Sequence, residues 1–169
     1  IEGQVKTCTL KRETDEWYVV FVCELPDPEP LTPRSAIGID VGLESFLATS
    51  DGEFIENPRW LGQSLAKLRR LQRSLARKQR GSKNRNQARA HVAQHHRTIQ
   101  RQRRDFQHKV ARNLVNRFDV IVIEDMNVAG LVKNHFLARH ISDAGWAGFA
   151  NILAGKAAYA GKQVIRVNP

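Results

Sequence analysis

The stretch AIGIDVGLESFLATSDGEFIE, residues 36–56, decides the fold class. Ala36–Asp40 (AIGID) is a short apolar run of strand length, and Gly42 follows it. Residues 44–49 (ESFLAT) read as a second strand. Ser50-Asp51-Gly52 is a turn signal, because glycine and short polar side chains accept tight backbone angles. Residues 53–56 then make a third short strand, and the three predict a meander.

Working outward toward the C-terminus, residues 119–123 (DVIVI) form a continuous apolar run ending in Glu124-Asp125. Such a run predicts a strand covered on both faces. Between the two stretches, Leu61, Leu65, Leu68, Leu71 and Leu75 recur at spacings of four and three, the stripe of an amphipathic helix. Gly81-Ser82 interrupts it. A second helix is predicted over about 86–118, striped by Val92, Ile99, Phe106, Val110 and Leu114. Two such helices joined by a short polar loop predict an antiparallel helical hairpin over about 59–117. Ser142-Asp143 is a candidate cap for a helix over 144–160, with Gly161 at its end. Residues 163–167 (QVIRV) read as a further strand. The order β-β-β, long helices, β, helix, β predicts a mixed α/β layer architecture.

Toward the N-terminus, residues 4–24 read as a hairpin, with WYVVFVC (17–23) as its more β-prone arm. A turn centred on Asp15 and Glu16 would place Cys8 opposite Cys23. These two cysteines form no CxxC pair, and they read as ordinary strand thiols of a reducing compartment. Residues 25–35 (LPDPEPLTPRS) hold four of the six prolines and read as a linker. The expected division is 1–34 as the tail of one β module and 35–169 as a second module. The chain starts at Ile1 and stops just after an apolar run, so it is expected to be a piece of something longer.

The composition narrows the function. With 169 residues and 41% hydrophobic side chains the chain can bury a core, and its net charge is +10. A balance this basic points to nucleic acid. No apolar stretch is long enough to span a membrane and no leader is visible, so a cytoplasmic, nucleoid-associated protein is expected. Eighteen of the 27 Lys and Arg residues lie between Arg59 and Arg117, with Asp105 as the only acid there. Arg69, Arg70, Arg73, Arg77, Lys78, Arg80, Lys83, Arg85, Arg89, Arg97, Arg101, Arg103 and Arg104 would repel one another on bare helices. A polyphosphate partner relieves that repulsion, which makes them candidate nucleic-acid contacts. His91 and His95 have the i, i+4 spacing that can bind zinc. Without an acid or third ligand nearby, contact with solvent or phosphate is expected, for these two and for His96.

The acids carry the chemistry. Asp40 ends an apolar strand between Gly38 and Gly42, and Glu124 repeats the pattern at the end of DVIVI. A lone carboxylate is costly to desolvate, so two of them at core strand ends suggest a cation site. Oxygen ligands suit Mg²⁺ or Mn²⁺, and a phosphodiester is a fitting substrate for such ions in a basic chain. The residues alone leave a structural role equally open for each acid, as a helix cap or an arginine partner.

Taken in order, IGIDVGLESFLATSDGEFIENPRWL (37–61), FQHKVARNLV (106–115) and DVIVIEDMNVAGLVKNHFLARHISDAGWAGFANIL (119–153) resemble the TnpB family. These are the transposon-encoded, OrfB-type RNA-guided nucleases, relatives of the compact type V CRISPR effectors. The resemblance runs over residues 37–169. It implies a RuvC-like, ribonuclease H-type fold with a mixed sheet and an inserted basic helical hairpin, preceded by the β-hairpin remnant of a wedge domain. It implies Asp40 as the first catalytic carboxylate and metal ligand and Glu124 as the second. Asp125 and Asn127, in the same motif, are not assigned a metal. A noncoding guide RNA and target DNA are the implied partners, with no membrane and no small-molecule substrate. Pairing with the guide would read the sequence while the protein grips backbone and shape.

The sequence also departs from the family pattern. A four-cysteine zinc ribbon and a third catalytic Asp are expected after the segment matching 163–169, and the sequence stops before both. Zinc is therefore expected only in that further segment, and this piece alone is expected to cut little or not at all while binding nucleic acid without sequence preference. Met126 and Gly155 stand where the resemblance leads one to expect Leu and Tyr. Two other functions fit the same scaffold: a nuclease-inactive binding protein or regulator, and the transposase itself. No tyrosine or serine has the context of a strand-transfer nucleophile, and Tyr18 and Tyr159 read as core or amphipathic residues.

Overall fold

The structure, a computed structural model, describes residues 1–13, 16–29, 31–131, 133, 134 and 138–168. In chain order come β1 (Gln4–Glu13), β2 (Glu16–Glu24), β3 (Ala36–Asp40), β4 (Ser45–Thr49), β5 (Phe54–Glu56), α1 (Trp60–Ala76) and α2 (Lys83–Arg117). Then follow β6 (Val120–Glu124), α3 (Val128–Leu131), α4 (Ala138–Ala144), α5 (Trp146–Tyr159) and β7 (Gln163–Val167). The chain divides into two compact units, Ile1–Asp27 with Leu65–Thr98 and Pro28–Ser64 with Ile99–Pro169.

The second unit is built on a five-stranded mixed sheet of order β5-β4-β3-β6-β7. The predicted meander is present: β3 pairs antiparallel with β4, and β4 with β5. β6 lies parallel to β3, and β7 parallel to β6. Side chains alternate across a strand, so Ile37 and Ile39 of β3 share a buried face with Ile121 and Ile123 of β6. That face joins one apolar cluster with Val110, Ala111 and Leu114 of α2 and Phe149, Leu153 and Ala157 of α5. Phe46 of β4 meets the rings of Phe106 and Phe149 edge-on, at centroid distances of 4.9 and 5.1 Å. Such aromatic pairs add about 0.5–1.5 kcal/mol each beyond the area they bury.

β6 corrects one expectation. DVIVI is not covered on both faces: Ile121 and Ile123 are buried, while Val120, Val122 and Glu124 on the opposite face are only half-buried. A second correction concerns the helix expected over 144–160. The helix itself is present as α5, but it follows a further helix, α4, and the two meet at Gly145, whose φ of +67° is a left-handed conformation that glycine adopts without a Cβ penalty. A Cβ there would lie 3.0 Å from Gln107 Nε2. That buried amide donates to the carbonyls of Ala144 and Gly145, 3.0 Å each, and fixes the elbow to α2. Ser142-Asp143 therefore lies inside α4 and does not cap α5. Asp143 caps another helix instead. Its carboxylate accepts the Leu61 N–H at the start of α1, at 3.1 and 3.2 Å, and pairs with Arg103 at 3.1 Å. A carboxylate at a helix N-terminus satisfies an orphan donor and the helix dipole together.

The linker enters this unit on Asp119. Its carboxylate accepts the Arg34 N–H at 3.0 Å and the Ser35 hydroxyl at 3.2 Å, with Lys162 Nζ 3.2 Å away. These donors and the lysine charge hold the Asp119 carboxyl below its ordinary value.

In the first unit β1 and β2 form a two-stranded antiparallel hairpin. Its register corrects the cysteine expectation: Cys8 faces Phe21, and Cys23 faces Val5. Glu16 belongs to β2 and closes the ladder against Glu13, and an irregularity between Val5 and Thr7 shifts the register again. Asp15, the other residue of the expected turn, lies outside the described residues. The leucine stripe of α1 is present, with Leu68 buried and Leu65, Leu71 and Leu75 half-buried. Among the described residues no helix is long and apolar enough to cross a membrane.

Candidate functional site

The two strand-end acids are brought together by register. β3 and β6 pair in parallel, Ile37 with Ile121 and Ile39 with Ile123. Asp40 and Glu124 are the next residues on each strand, so both leave the sheet on the same face, opposite the isoleucines. Neighbouring strands lie about 4.8 Å apart, within the span of two ligands on one cation. Gly42 allows the chain to turn away directly behind Asp40. Its N–H donates to the Phe46 carbonyl at 3.3 Å, and a Cβ there would sit 3.0 Å from the Ser45 carbonyl oxygen.

Desolvation is not what distinguishes these acids. Asp40 is exposed and Glu124 half-buried, so neither bears the full cost assumed from the sequence. Glu44, Asp51 and Glu56 share their lack of a partner; what sets Asp40 and Glu124 apart is that register places two such acids side by side. Among the described residues neither carboxylate is hydrogen-bonded or ion-paired, whereas Asp119, Asp125, Asp143 and Glu53 each hold a cation. Unpaired, adjacent, solvent-facing carboxylates are a donor set suited to a hard divalent ion that keeps water ligands. The set is small: no group of three His, Cys, Asp or Glu side chains suited to a metal occurs among the described residues.

Glu124 opens onto a pocket of about 310 Å³, walled by Val41, Met126 and Trp146 and rimmed by Asn151 and Arg166. Asp125 is engaged by Arg166 at 3.4 Å, and the Asn127 side chain accepts the Gly130 N–H at 2.9 Å. Both therefore have structural work. His91 and His96 are exposed; His95 is half-buried with an unpartnered Nε2.

The thirteen cations read from the sequence do not play one part. Arg69, Arg70, Arg73, Arg77 and Lys78 line one groove along α1, of about 720 Å³. Arg69, Arg73 and Arg77 recur every four residues along one side, with Arg70 and Lys78 flanking them. Arg80 and Lys83 follow at the loop and the start of α2; Arg89, Arg101 and Arg104 are exposed on α2. Three differ. Arg85 donates to the carbonyls of Leu75 and Lys78 at the end of α1, both at 3.1 Å. Arg97 is 10% exposed, donates to the Glu13 carbonyl at 2.9 Å and lies 3.5 Å from Glu16. Arg103 holds Asp143. Charge density in a sequence cannot separate such internal arginines from exposed ones.

Sequence reasoning also missed a second basic cleft, between α2 and α5. His108 and Arg112 face Lys156 across it. Their four-residue spacing on α2 was the available signal. Burial, with Lys156, Arg104 and Arg112 nearby, holds the His108 imidazole below its ordinary value, against a smaller opposing effect of Asp105.

Residues 20–135 match the OrfB_IS605 family, described as a probable transposase. A protein of Streptomyces pristinaespiralis named as a candidate RNA-guided DNA endonuclease is 40% identical over 96% of this chain and 40% of its own length. InsQ of Escherichia coli K12, with the same description, is 31% identical over 100% of this chain and 46% of its own. The chain thus spans less than half the length of these curated relatives. In structure it is similar to a Cas12f1 chain solved by cryo-EM with sgRNA and target DNA. The TM-score is 0.53 at 17% identity, over 95% of this chain and 41% of that one, a likeness of fold. With more than half of its residues inside the family match, the chain belongs to the OrfB_IS605 family of TnpB-type proteins.

Proposed function

We propose that the intact protein is a transposon-associated, RNA-guided DNA endonuclease that works at the nucleoid in the cytoplasm, and that this chain is its central part. Residues 35–169 make up a RuvC-like, ribonuclease H-type domain with a basic helical hairpin inserted in it, and residues 1–34 end a wedge-type β domain. The sheet order, with an antiparallel meander beside two parallel strands, supports that reading. One observation carries it furthest: Asp40 and Glu124 stand side by side on one face of paired strands, without protein partners.

In this reading Asp40 and Glu124 hold Mg²⁺ or Mn²⁺ together with a third carboxylate from a further segment, which also carries a zinc ribbon. Bound ions of this kind supply an activated water and stabilise the leaving oxygen of the phosphodiester. The strand ends keep the two carboxylates at fixed positions, so little ordering is needed when the substrate arrives. Val41, Met126 and Trp146 give the Glu124 pocket an apolar wall that limits water. The α1 stripe grips phosphates of guide RNA and target DNA, leaving the choice of sequence to base pairing.

The test is cleavage by the intact, guide-loaded protein. Asp40→Asn or Glu124→Gln should lower cutting by more than the about 10–100-fold that follows loss of a residue merely supporting a metal ligand. Nucleic-acid binding should persist. Metal-dependent cutting that survives either change would overturn the assignment.

A nuclease-inactive binder or regulator on the same scaffold is the second reading. It rests on the same groove of cations along α1, which serves binding without cutting. Under that reading the intact protein occupies guide-matched DNA and leaves it uncut with Mg²⁺ present.

A further inference from the structure

We infer that the cleft between α2 and α5 is a site for a phosphomonoester, the doubly charged phosphate of a nucleotide, held between Arg112 and Lys156. The site uses neither Asp40 nor Glu124, so it goes beyond the nuclease reading and stands or falls apart from it.

Three cations gather here without a counter-ion. Arg112 lies one turn beyond His108 on α2 and lines the cleft with it, and Lys156 lines it from α5. Arg104 lies one turn before His108 and bears on it as they do. Among the described residues no side chain of these three cations is hydrogen-bonded or ion-paired. By contrast Arg103, Arg117 and Lys162 of the same unit are held by Asp143, Glu53 and Asp119. The acid that bears on His108, Asp105, is engaged by Lys109 at 2.6 Å. Like charges left unrelieved oppose the compact state, and a bound anion relieves them.

The imidazole between the cations reports the same field. Burial, then Lys156, Arg104 and Arg112, hold His108 below its ordinary value against the opposing effect of Asp105, so the ring is neutral near pH 7. A neutral ring has one N–H to donate, and a protonated ring has two. A dianion beside it would favour the protonated form.

The charge also selects the ligand class. A phosphomonoester carries about −1.5 to −2 at pH 7, which matches the two cations that line the cleft. A backbone phosphodiester carries a single charge and leaves one of them unrelieved. The arginine fork suits phosphate oxygens in pairs, while lysine acts as a point charge. The cleft measures about 700 Å³, much more than a bare phosphate fills and inside the about 300–1,000 Å³ of small-molecule sites. Val115, Ile152 and Ala160 give it an apolar wall suited to the nucleoside. Gly155 keeps room for it, since a Cβ there would meet nothing within 4 Å. Such a phosphate comes from a free nucleotide or from the phosphorylated end of a strand.

The experiment uses the full chain with adenosine monophosphate in a chelator, read by the His108 imidazole resonances and by calorimetry. The nucleotide should move those resonances and raise the His108 titration midpoint. Arg112→Gln and Lys156→Gln should each weaken binding about tenfold or more, as loss of a hydrogen bond to a charged group does. Gly155→Leu should weaken the nucleotide and spare inorganic phosphate, because it fills the cleft and leaves the cations in place. Its fold should be at least as stable, since leucine is the better helix former. A thymine oligonucleotide phosphorylated at one end separates the two sources. Displacement of the nucleotide by it, and not by its unphosphorylated form, assigns the site to strand ends; displacement by neither assigns it to free nucleotides. Displacement by the unphosphorylated form as well, competition by adenosine, an unmoved His108, or unchanged nucleotide binding in Gly155→Leu or in both charge variants would each overturn the inference.

Discussion

Two apolar β regions of this chain end in opposite environments. In the first unit the β2 run Val19-Val20-Phe21-Val22 is exposed on both faces of a two-stranded ribbon. In the second, Ile121 and Ile123 of β6 are at most 4% exposed inside a five-stranded sheet packed on helices. The residues are alike in β propensity; what differs is the number of strands and the helix layer over them. A two-stranded ribbon has no second layer to bury a face. The division extends to charge. The second unit has a core firm enough to fix two carboxylates, while the α1 part of the first offers a stripe of cations. The proposed nuclease would use both: fixed ligands where bonds break, and many weak phosphate contacts elsewhere.

The sharpest way to break that comparison is to truncate one aliphatic side chain in each region to alanine. Leu153→Ala, at a fully buried site in the second unit, should cost about 2–5 kcal/mol, because the packed surroundings close only partly over the cavity. Val20→Ala on the exposed hairpin should stay within about 0.5 kcal/mol. Denaturant unfolding followed by circular dichroism measures both. Equal losses would mean that the hairpin face is as well packed as the sheet.

What the sequence made legible follows the same division. β3, β6 and β7 were readable to within a residue because short apolar runs bounded by turn residues have few alternatives. α4 and the elbow at Gly145 were not, since Ser142-Asp143 read as the cap of the next helix and the Gln107 amide that fixes the elbow lies far away in sequence. The hairpin register failed for a related reason. Exposed on both faces, the ribbon gains little from one pairing over another, so the pattern of apolar residues does not specify it. For the site, the positions of Asp40 and Glu124 were legible from strand ends, but their adjacency depends on β3 lying next to β6, a long-range pairing.

Charge gives the second contrast, smaller in effect. Arg73→Gln with Arg77→Gln removes two cations of the open α1 groove. On single-stranded nucleic acid this should flatten the salt dependence of binding by about 1.4 and leave stability nearly unchanged. Arg103→Gln should do the reverse. Arg103 holds Asp143, which caps α1, so its loss should lower the thermal midpoint with little change in salt dependence. A flatter salt dependence in Arg103→Gln would show that it also serves the ligand.

The smallest effect is in acid. Asp119 and His108 both belong to the second unit, and both titrate below their ordinary values, for different reasons. For Asp119 the leading cause is the Arg34 N–H, followed by Lys162. A depressed carboxyl binds its proton less readily in the folded chain than in the unfolded one. Its stabilisation is therefore complete above the unfolded value of 3.8 and is lost as pH falls below that through the folded value. For His108 the leading cause is burial, followed by Lys156. The unfolded chain again takes the proton first, so stability is complete above 6.5 and declines as pH falls through the window below it. The thermal midpoint should thus fall in two separate steps on acidification. His108→Gln should remove the upper step and spare the lower, and Asp119→Asn the reverse. An upper step that persists in His108→Gln would place its origin elsewhere and separate the basic cleft from the acid response of the sheet unit.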